Sequence, residues 1–296
     1  MRAQVGMLRD GRRLHLHDGP VDLIIEAFGT RAAVHDAYQA AIIRFQSVLD
    51  ELCSELALLR APAEGRAEMP KGRIARRMAI AVVPYAARTF ITAMAAVAGA
   101  VAEEILDSMT AAADLSKAYV NDGGDIALHL SPGTAFSVGM INRPDQPSLF
   151  GAAVLHASDP VRGIATSGWR GRSFSLGIAD AVTVLACTAS AADAAATIIA
   201  NAVDLPGSSK IQRVPARAVA PDSDLCDRLV TQSVEELSPD EIEFALDRGI
   251  TVADQLRAER LIESAVLHLQ GETRIVSTKQ EFAPRPDKVF GSFAHA

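Results

Sequence analysis

The chain has only three cysteines among its 296 residues. Cys53, Cys187 and Cys226 lie far apart and show no CxxC spacing, so neither a metal motif nor the paired framework of a small secreted domain is indicated. The N-terminal residues include basic side chains but lack the apolar run of a signal peptide. We therefore expect a cytoplasmic protein.

Long apolar runs and excess positive charge are also missing. The most apolar segment, Thr89–Ala102, is followed by Glu103 and Glu104, whereas a membrane-spanning helix needs about 20 apolar residues. The net charge is -7 and the pI is near 5.5. We expect neither a membrane nor a nucleic acid as partner, and we interpret the basic segment Lys71–Arg77 as a solvated loop.

Several common functional motifs are absent. The sequence contains no HExxH zinc pattern, no G-x-S-x-G nucleophile turn, no P-loop and no G-x-G-x-x-G. The seven histidines form no compact ligand set. A zinc enzyme, a hydrolase with a nucleophile elbow, a P-loop NTPase and a Rossmann protein therefore lack support.

The apolar content, 49% of the residues, is enough for a sizeable core. Helical spacing of apolar or small residues predicts helices over Arg31–Leu59, from about Thr89 to Ala113, and from Thr188 to about Val203. Short apolar runs predict strands in these segments: His15–Phe28, Lys117–Leu130 around a glycine turn, Ala135–Ile141, Ala152–His156, Ser173–Gly177 and Ala181–Cys187. The pattern predicts an α/β (α+β) fold with a mixed or antiparallel sheet and packed helices.

We expect a single domain over residues 1–277. Its C-terminal part, residues 208–277, is predicted to be helical, with helices over Asp222–Glu235 and Pro239–Leu269 and a start signal at Ser238-Pro239. The polar, proline-containing tail 278–296 is predicted to be loosely ordered.

The first candidate site segment is a glycine turn between two predicted strands. Gly123 and Gly124, followed by Asp125, let the backbone adopt positive φ and approach a ligand without a Cβ in the way. From the spacing alone a plain hairpin turn is the favoured interpretation, because a Gly-Gly pair between strands is a common turn signal.

The second segment offers hydroxyl groups beside positive charge. Thr166 and Ser167 precede Trp169, Arg170 and Arg172, and this combination is suited to a phosphate or pyrophosphate. The alternative is a polar turn with ordinary surface arginines and a packed tryptophan.

The third segment begins the alanine-rich helix. Asp193 and Thr197 are four residues apart, hence on one helix face, and both carry oxygen ligands of the kind that Mg2+ takes. Ser190–Asp193 also resembles a capping box with Asp in place of Glu, in which Asp193 only satisfies the start of its own helix. From these residues alone, the cap is the favoured reading.

Taken in order, these segments resemble the ApbE-like flavin transferases. The resemblance covers about Thr89–Val203 and lies in four segments: AGAVAEE at Ala98–Glu104, VNDGGDI at Val120–Ile126, IATSG at Ile164–Gly168 and AVTVLACTASAADAAAT at Ala181–Thr197. It implies an ApbE-like fold, in a divergent branch, with one site for a flavin nucleotide such as FAD and for Mg2+. By position it implies nucleotide-binding roles for Gly123, Gly124, Asp125, Thr166 and Ser167, and magnesium-ligand roles for Asp193 and Thr197.

Departures from the family pattern concern the chemistry. The family's HIIDP segment lies between ATSG and SVTV, but here only Trp169–Asp180 intervenes, and it contains no histidine. Ala98 replaces the lysine of the family's KG pair, and Glu103 stands where Asp is expected. No catalytic residue is assigned; Asp180 is a candidate as the only acidic residue of the shortened segment.

Three functions therefore remain open. The family reaction moves a flavin mononucleotide to a protein hydroxyl, which needs a base and a metal. The chain is either a divergent transferase of this kind or a protein that binds the nucleotide without turnover. In a third reading it is a structural or assembly protein whose helix at Thr89–Ala113 packs against a partner or a second copy, as in a homo-oligomer.

Overall fold

The computed structural model describes residues 3–65, 68–141, 149–171, 173–277 and 282–284. The strands in this part of the chain are β1 Gln4–Met7, β2 Leu14–Asp18, β3 Val21–Phe28, β4 Lys117–Asp122, β5 Asp125–Leu130, β6 Ala135–Ile141, β7 Leu149–His156, β8 Gly163–Ser167, β9 Ala181–Ala186, β10 Ile211–Pro215, β11 Leu229–Val234, β12 Ser264–Leu269, β13 Glu272–Ser277 and β14 Phe282–Pro284. The helices are α1 Arg31–Phe45, α2 Val48–Ser54, α3 Leu56–Arg60, α4 Arg73–Val82, α5 Val97–Ala112, α6 Ala189–Ala202, α7 Ala216–Val219 and α8 Pro239–Ala258, with a 3-10 turn at Ala93–Ala96.

One large sheet organises the molecule. Its nine strands lie in the order β1-β2-β3-β4-β5-β8-β9-β12-β13, and all neighbouring pairs are antiparallel. Two smaller antiparallel sheets contain β14-β7-β6 and β10-β11. The predicted α/β class with antiparallel pairing and packed helices is confirmed.

The large sheet has a helical face and an opposite face. Because successive strand residues point to opposite sides, Leu23 and Ile25 of β3 pack on the helical face in one core with Phe45 of α1 and Met109 of α5. A second core joins α6 and α8 to β9 and β12 on the same face. The third core lies on the opposite face, where Tyr119 meets Phe136 of β6.

The first turn of α6 is in very close contact with its neighbours. A Cβ placed on Gly99 of α5 would lie 2.4 Å from the carbonyl oxygen of Ala189, and one on Gly163 of β8 would lie 2.1 Å from the carbonyl carbon of Thr188. Small residues therefore let α5 and β8 approach the backbone of α6, as the composition of the small-residue helix predicts. That helix is α5, and the predicted start at Thr89 is wrong because the chain first makes the 3-10 turn.

The basic segment Lys71–Arg77 is a loop only at its first two residues. Arg73 begins α4, whose Ile74 and Met78 are buried, so the prediction of a loop is wrong from Arg73 onward. The apolar residues of α4 recur at helical spacing and are buried on one face, and this burial stabilises the helix although its other face carries arginines.

Two further predicted elements differ from the structure. The helix predicted over Arg31–Leu59 is interrupted, and its apolar stripe is divided among α1, α2 and α3. The strand predicted at Ser173–Gly177 is wrong: this segment is irregular over its described residues, and the Ser175 hydroxyl donates to Oδ1 of Asn201 at 3.1 Å.

The C-terminal part, residues 208–277, is mixed rather than helical. Asp222–Glu235 contains strand β11, and the helix starting at Pro239 ends at Ala258, after which Ser264–Leu269 forms β12 inside the large sheet. All six residues of β12 are buried, and its apolar residues Ala265, Val266 and Leu267 are consecutive, so the sequence has no strand alternation to separate it from a helix. The helix start is confirmed by a capping box in which Ser238 and Glu241 bond reciprocally.

The domain assignment for residues 1–277 stays a prediction. The tail 278–296 lies outside the described residues except for Phe282–Pro284, which pair with β7. Among the helices of the described ranges, none combines the length and the apolar character that crossing a membrane requires.

The tight contact at Gly163 predicts a large effect of one added methyl group. Gly163→Ala should lower the free energy of unfolding by about 3 kcal/mol, because the methyl group would overlap the Thr188 backbone, which cannot rotate away. Urea denaturation measures the change. Gly6→Ala is the matched strand control: with no atom within 4 Å of the added Cβ, it should leave stability unchanged or raise it by about 0.5 kcal/mol. Equal stability of the two variants would contradict the packing described.

Candidate functional site

The glycine turn joins β4 to β5 as a hairpin. Gly123 and Gly124 have φ of 63° and 118°, in the region where glycine is favoured, and Asp122 pairs with Asp125 across the turn. The backbone N–H of Gly124 donates to Oδ1 of Asn121 at 2.8 Å. A Cβ placed on Gly124 would meet no atom within 4 Å, but Gly124 itself is buried, whereas Gly123 is exposed. The turn is thus a hairpin that is open to approach at Gly123.

Asp125 ties this turn to β8. Its Oδ1 accepts a hydrogen bond from the backbone N–H of Thr166 at 3.2 Å. The Thr166 hydroxyl lies 2.9 Å from the hydroxyl of Thr183, which shares the sheet face of the third core. Strand alternation directs the next residue, Ser167, to the helical face. The structure therefore brings Asp125 and Thr166 together, but it sends the hydroxyls of Thr166 and Ser167 to opposite faces.

Asp193 does not cap its own helix. Thr188 is the N-cap of α6, and its hydroxyl accepts from the N–H of Ala191 at 3.2 Å. Asp193 lies in the second turn, and its Oδ2 instead accepts from the N–H of Gly99 at 3.1 Å, in the first turn of α5. The capping-box interpretation of Ser190–Asp193 was therefore wrong, because the partner belongs to another helix.

Glu103 of α5 makes the reciprocal contact with α6. Its Oε1 accepts from the N–H of Ser190, in the first turn of α6, at 2.6 Å. A helix start leaves amide groups without partners inside the helix, and α5 has no side-chain cap of its own. Each of the two helix starts thus receives a carboxylate from the other helix.

The electrostatics of Asp193 are unusual for a carboxylate. Burial, with a smaller contribution from the negative charge of Asp122, raises the pKa of Asp193 to about 7, although hydrogen bonds from Gly99 and Ala98 act in the other direction. Asp122 lies at the end of β4, where alternation with Val120 places it toward the helical face. A cation beside these two carboxylates would stabilise the charged form of Asp193.

Thr197 lies one helical turn beyond Asp193 on the same face of α6. Its side chain is partly exposed, and within the described residues its hydroxyl makes no hydrogen bond. No group of three or more His, Cys, Asp and Glu side chains in the described ranges could hold a metal ion. Mg2+ at this position would therefore depend on Asp193, on hydroxyl and carbonyl oxygens and on water.

Asp180 is deeply buried and already engaged. Its Oδ1 accepts from Nε of Arg170 and its Oδ2 accepts from the backbone N–H of Gln270, both at 2.7 Å. The guanidinium of Arg170 also lies 4.2 Å from the ring centre of Trp169. These contacts anchor the shortened segment to the β12–β13 turn, which is a positioning role. Arg172, the other predicted phosphate ligand, lies outside the described residues.

Sequence reasoning missed the partners of Asp193. Gly99 and Asp122 stood inside segments already singled out, but neither was assigned a role. The alternation of β4 could have indicated that Asp122 shares a face with Val120. No local signal links Gly99 to Asp193, because the two residues meet only through the packing of α5 against α6.

The family follows from comparison with known proteins. A family model described as "AbpE bacteria" matches residues 5–275. The chain belongs to this family, and the resemblance to the ApbE-like superfamily is confirmed.

Individual relatives are similar over part of the chain. The UPF0280 protein of Methanopyrus kandleri is 37% identical over 129 residues, which are 43% of this chain and 48% of that protein. A UPF0280 protein of Methanothrix thermoacetophila is 37% identical over 130 residues, covering 40% of this chain and 48% of its own length. The chain spans about half the length of the curated relatives it matches.

Two solved structures are similar at low identity. The flavinyl transferase ApbE of Pseudomonas stutzeri, in its apo form, is 11% identical with a TM-score of 0.42, covering 94% of this chain and 96% of that chain. The flavin transferase ApbE of Vibrio cholerae is 11% identical with a TM-score of 0.37, covering 93% and 97%.

The raised pKa of Asp193 predicts a pH-dependent stability. Between about pH 4 and about pH 7 the folded protein holds a proton that the unfolded chain has released, so stability is lost as pH rises through this window. Asp193→Asn cannot lose this proton. Its unfolding free energy relative to the wild type should therefore rise with pH, by at most about 1.4 kcal/mol per pH unit.

Urea denaturation at a series of pH values measures this difference. Asp36→Asn, which removes an exposed helical carboxylate, is the matched control for the loss of one carboxylate. A pH dependence of Asp193→Asn no larger than that of Asp36→Asn would contradict the raised pKa of Asp193.

Proposed function

We propose that this protein binds a flavin nucleotide such as FAD together with Mg2+, and that it is a divergent Mg-dependent transferase of flavin mononucleotide. The site would lie on the helical face, between the β4–β5 turn, the end of β8 and the first turns of α5 and α6. One observation carries the proposal: the Asp193 carboxylate stands at a helix start beside a second carboxylate, Asp122, with an unpartnered hydroxyl, Thr197, one turn away.

The donor set fits Mg2+. Hard cations take carboxylate, hydroxyl and carbonyl oxygens, and Asp193 with Thr197 offers the first two on one helix face. A bound divalent ion would remove the repulsion between Asp193 and Asp122 and restore the charged form of Asp193 at neutral pH. When bound, Mg2+ supplies positive charge for the phosphate groups of the nucleotide.

The nucleotide would approach the glycine turn at the exposed Gly123, where no side chain blocks the main chain. Gly124 is buried and would contribute through its positive φ, and Asp125 holds the turn against β8 through the Thr166 amide. Ser167 would contribute its hydroxyl, which lies on the helical face. Thr166, whose hydroxyl is on the opposite face, would take part through its position rather than its side chain.

A second candidate function is nucleotide binding without turnover. Transfer needs a base for the acceptor hydroxyl. Asp180, the candidate of the shortened segment, has both oxygens engaged by Arg170 and Gln270, which favours the non-catalytic reading. The hypothesis of an assembly protein expected the helix at Thr89–Ala113 to pack against a partner. Gly99, Val101 and Ile105 of α5 are instead buried within this chain, which does not favour that hypothesis. A cytoplasmic location is also proposed, since Cys53, Cys187 and Cys226 are free and exposed.

Magnesium-dependent flavin binding tests the site. The quenching of FAD fluorescence should give a dissociation constant about tenfold lower with Mg2+ than without it, and Asp193→Asn should abolish this Mg2+ effect. The amide keeps an acceptor for the Gly99 amide, so the variant tests charge rather than helix packing. Thr197→Val should weaken the Mg2+ effect, and Asp36→Asn should preserve it. Failure to bind FAD in either condition would rule out the flavin proposal.

Product analysis separates the two candidate functions. Incubation with FAD, Mg2+ and hydroxyl-bearing acceptor proteins should release adenosine monophosphate, detected by mass spectrometry, with flavin mononucleotide gained by an acceptor. Asp193→Asn should suppress release by about 100-fold, since the metal that offsets phosphate charge would be lost. Tight Mg2+-dependent binding with no adenosine monophosphate would favour the binding protein.

A further inference from the structure

A separate cavity of about 430 Å3 lies between α4 and the first turn of α6. It shares none of the residues proposed for the flavin and metal site. Along α4 the lining residues recur at three- and four-residue spacing, with Arg73, Arg76 and Arg77 first and Ile80 after them, and Pro84 follows in the turn beyond the helix. One end of the cavity lining is therefore basic and the other is apolar.

The side chains of the three arginines differ in the ion pairs that they make. Arg77 is engaged, with Nη1 3.2 Å from Glu103 and Nη2 2.7 Å from Asp107. The Arg73 side chain is 72% exposed and has only longer contacts, 3.5 Å to Glu104 and 4.0 Å to Asp107. Arg76 is exposed, and its side chain makes no ion pair or hydrogen bond within the described ranges. The cavity is therefore lined by one guanidinium group without an ion pair, that of Arg76, and by a second with only long ion-pair contacts, that of Arg73.

Tyr85 provides an independent sign of a ligand. The residue is only 4% exposed, yet its hydroxyl has no hydrogen-bond partner in the part of the chain that the structure describes. Burial, with a smaller contribution from Glu259, raises its pKa, so the hydroxyl remains a donor at neutral pH. The hydroxyl itself keeps some access to solvent, and Tyr85 lines the cavity, so a hydrogen-bond donor without a protein partner is available to a ligand there.

We propose that this cavity binds a small organic acid, namely a single carboxylate carried on an apolar body. Arg76 would pair with the carboxylate, the Tyr85 hydroxyl would donate to an oxygen of the ligand, and Ile80, Pro84 and Leu261 would cover the apolar body. The volume is in the range of small-molecule sites. A monoanion fits better than a phosphate dianion, because the carboxylate of Glu103 lines the same cavity and already forms an ion pair with Arg77. A dianion would meet more repulsion from Glu103 and could not rely on the charge of Arg77.

Calorimetric titration with phenylbutyrate and with its neutral amide tests this site. The acid should bind about tenfold more tightly than the amide, because only the acid can pair with Arg76. Arg76→Gln should remove this discrimination by weakening the acid alone. Tyr85→Phe, which keeps the ring, should weaken acid binding about fivefold through the lost hydrogen bond.

Matched controls keep the result specific. Arg248→Gln changes another exposed helical arginine that makes no ion pair within the described residues, and it should leave both titrations unchanged. Asp193→Asn should also leave them unchanged, so failure of the flavin proposal and failure of this one are distinguishable. The proposal is overturned if the acid does not bind below about 10 mM, if acid and amide bind equally, if inorganic phosphate binds more tightly, or if neither Arg76→Gln nor Tyr85→Phe changes the affinity.

Discussion

The start of α5 and the start of α6 each receive a carboxylate from the other helix, and this pair of contacts holds together the part of the molecule that carries the candidate site. Asp193 of α6 accepts from the Gly99 amide of α5, and Glu103 of α5 accepts from the Ser190 amide of α6. Helix starts carry unsatisfied amide donors, and bringing two of them together inside a protein is costly without acceptors. Gly99 makes the exchange possible because a side chain there would collide with the backbone of Ala189.

This contact also sets the charge of the candidate site. Asp193 accepts amide hydrogens that favour its charged form, but burial and Asp122 oppose ionisation and have the larger effect on its pKa. The same carboxylate therefore caps the start of α5 and, in the proposed function, would also be a ligand of the cation. Those two roles are compatible, since a carboxylate offers several acceptor positions.

Glu103 connects the exchange to α4 and to the second cavity. It caps α6, lies 3.2 Å from Nη1 of Arg77 and lines the cavity that contains Arg76 and Tyr85. The candidate flavin site and the proposed organic-acid site thus adjoin the same pair of helices through different residues. Membership of the family accounts for the fold. The four segments that resemble the family do not include α4, so they assign no role to its arginines.

Local patterns determined much of this protein from the sequence by itself. They predicted the hairpin around Gly123 and Gly124, the helix start at Ser238 and the common helix face of Asp193 and Thr197, because each depends only on residues nearby in the chain. Tertiary structure decided the rest. Strand β12 is buried on both faces and so has no strand periodicity, and Asp193 finds Gly99 and Asp122 only when α5, α6 and β4 pack together. Hydrogen-bond partners and pKa values depend on distances between segments far apart in sequence, which only the packed structure sets.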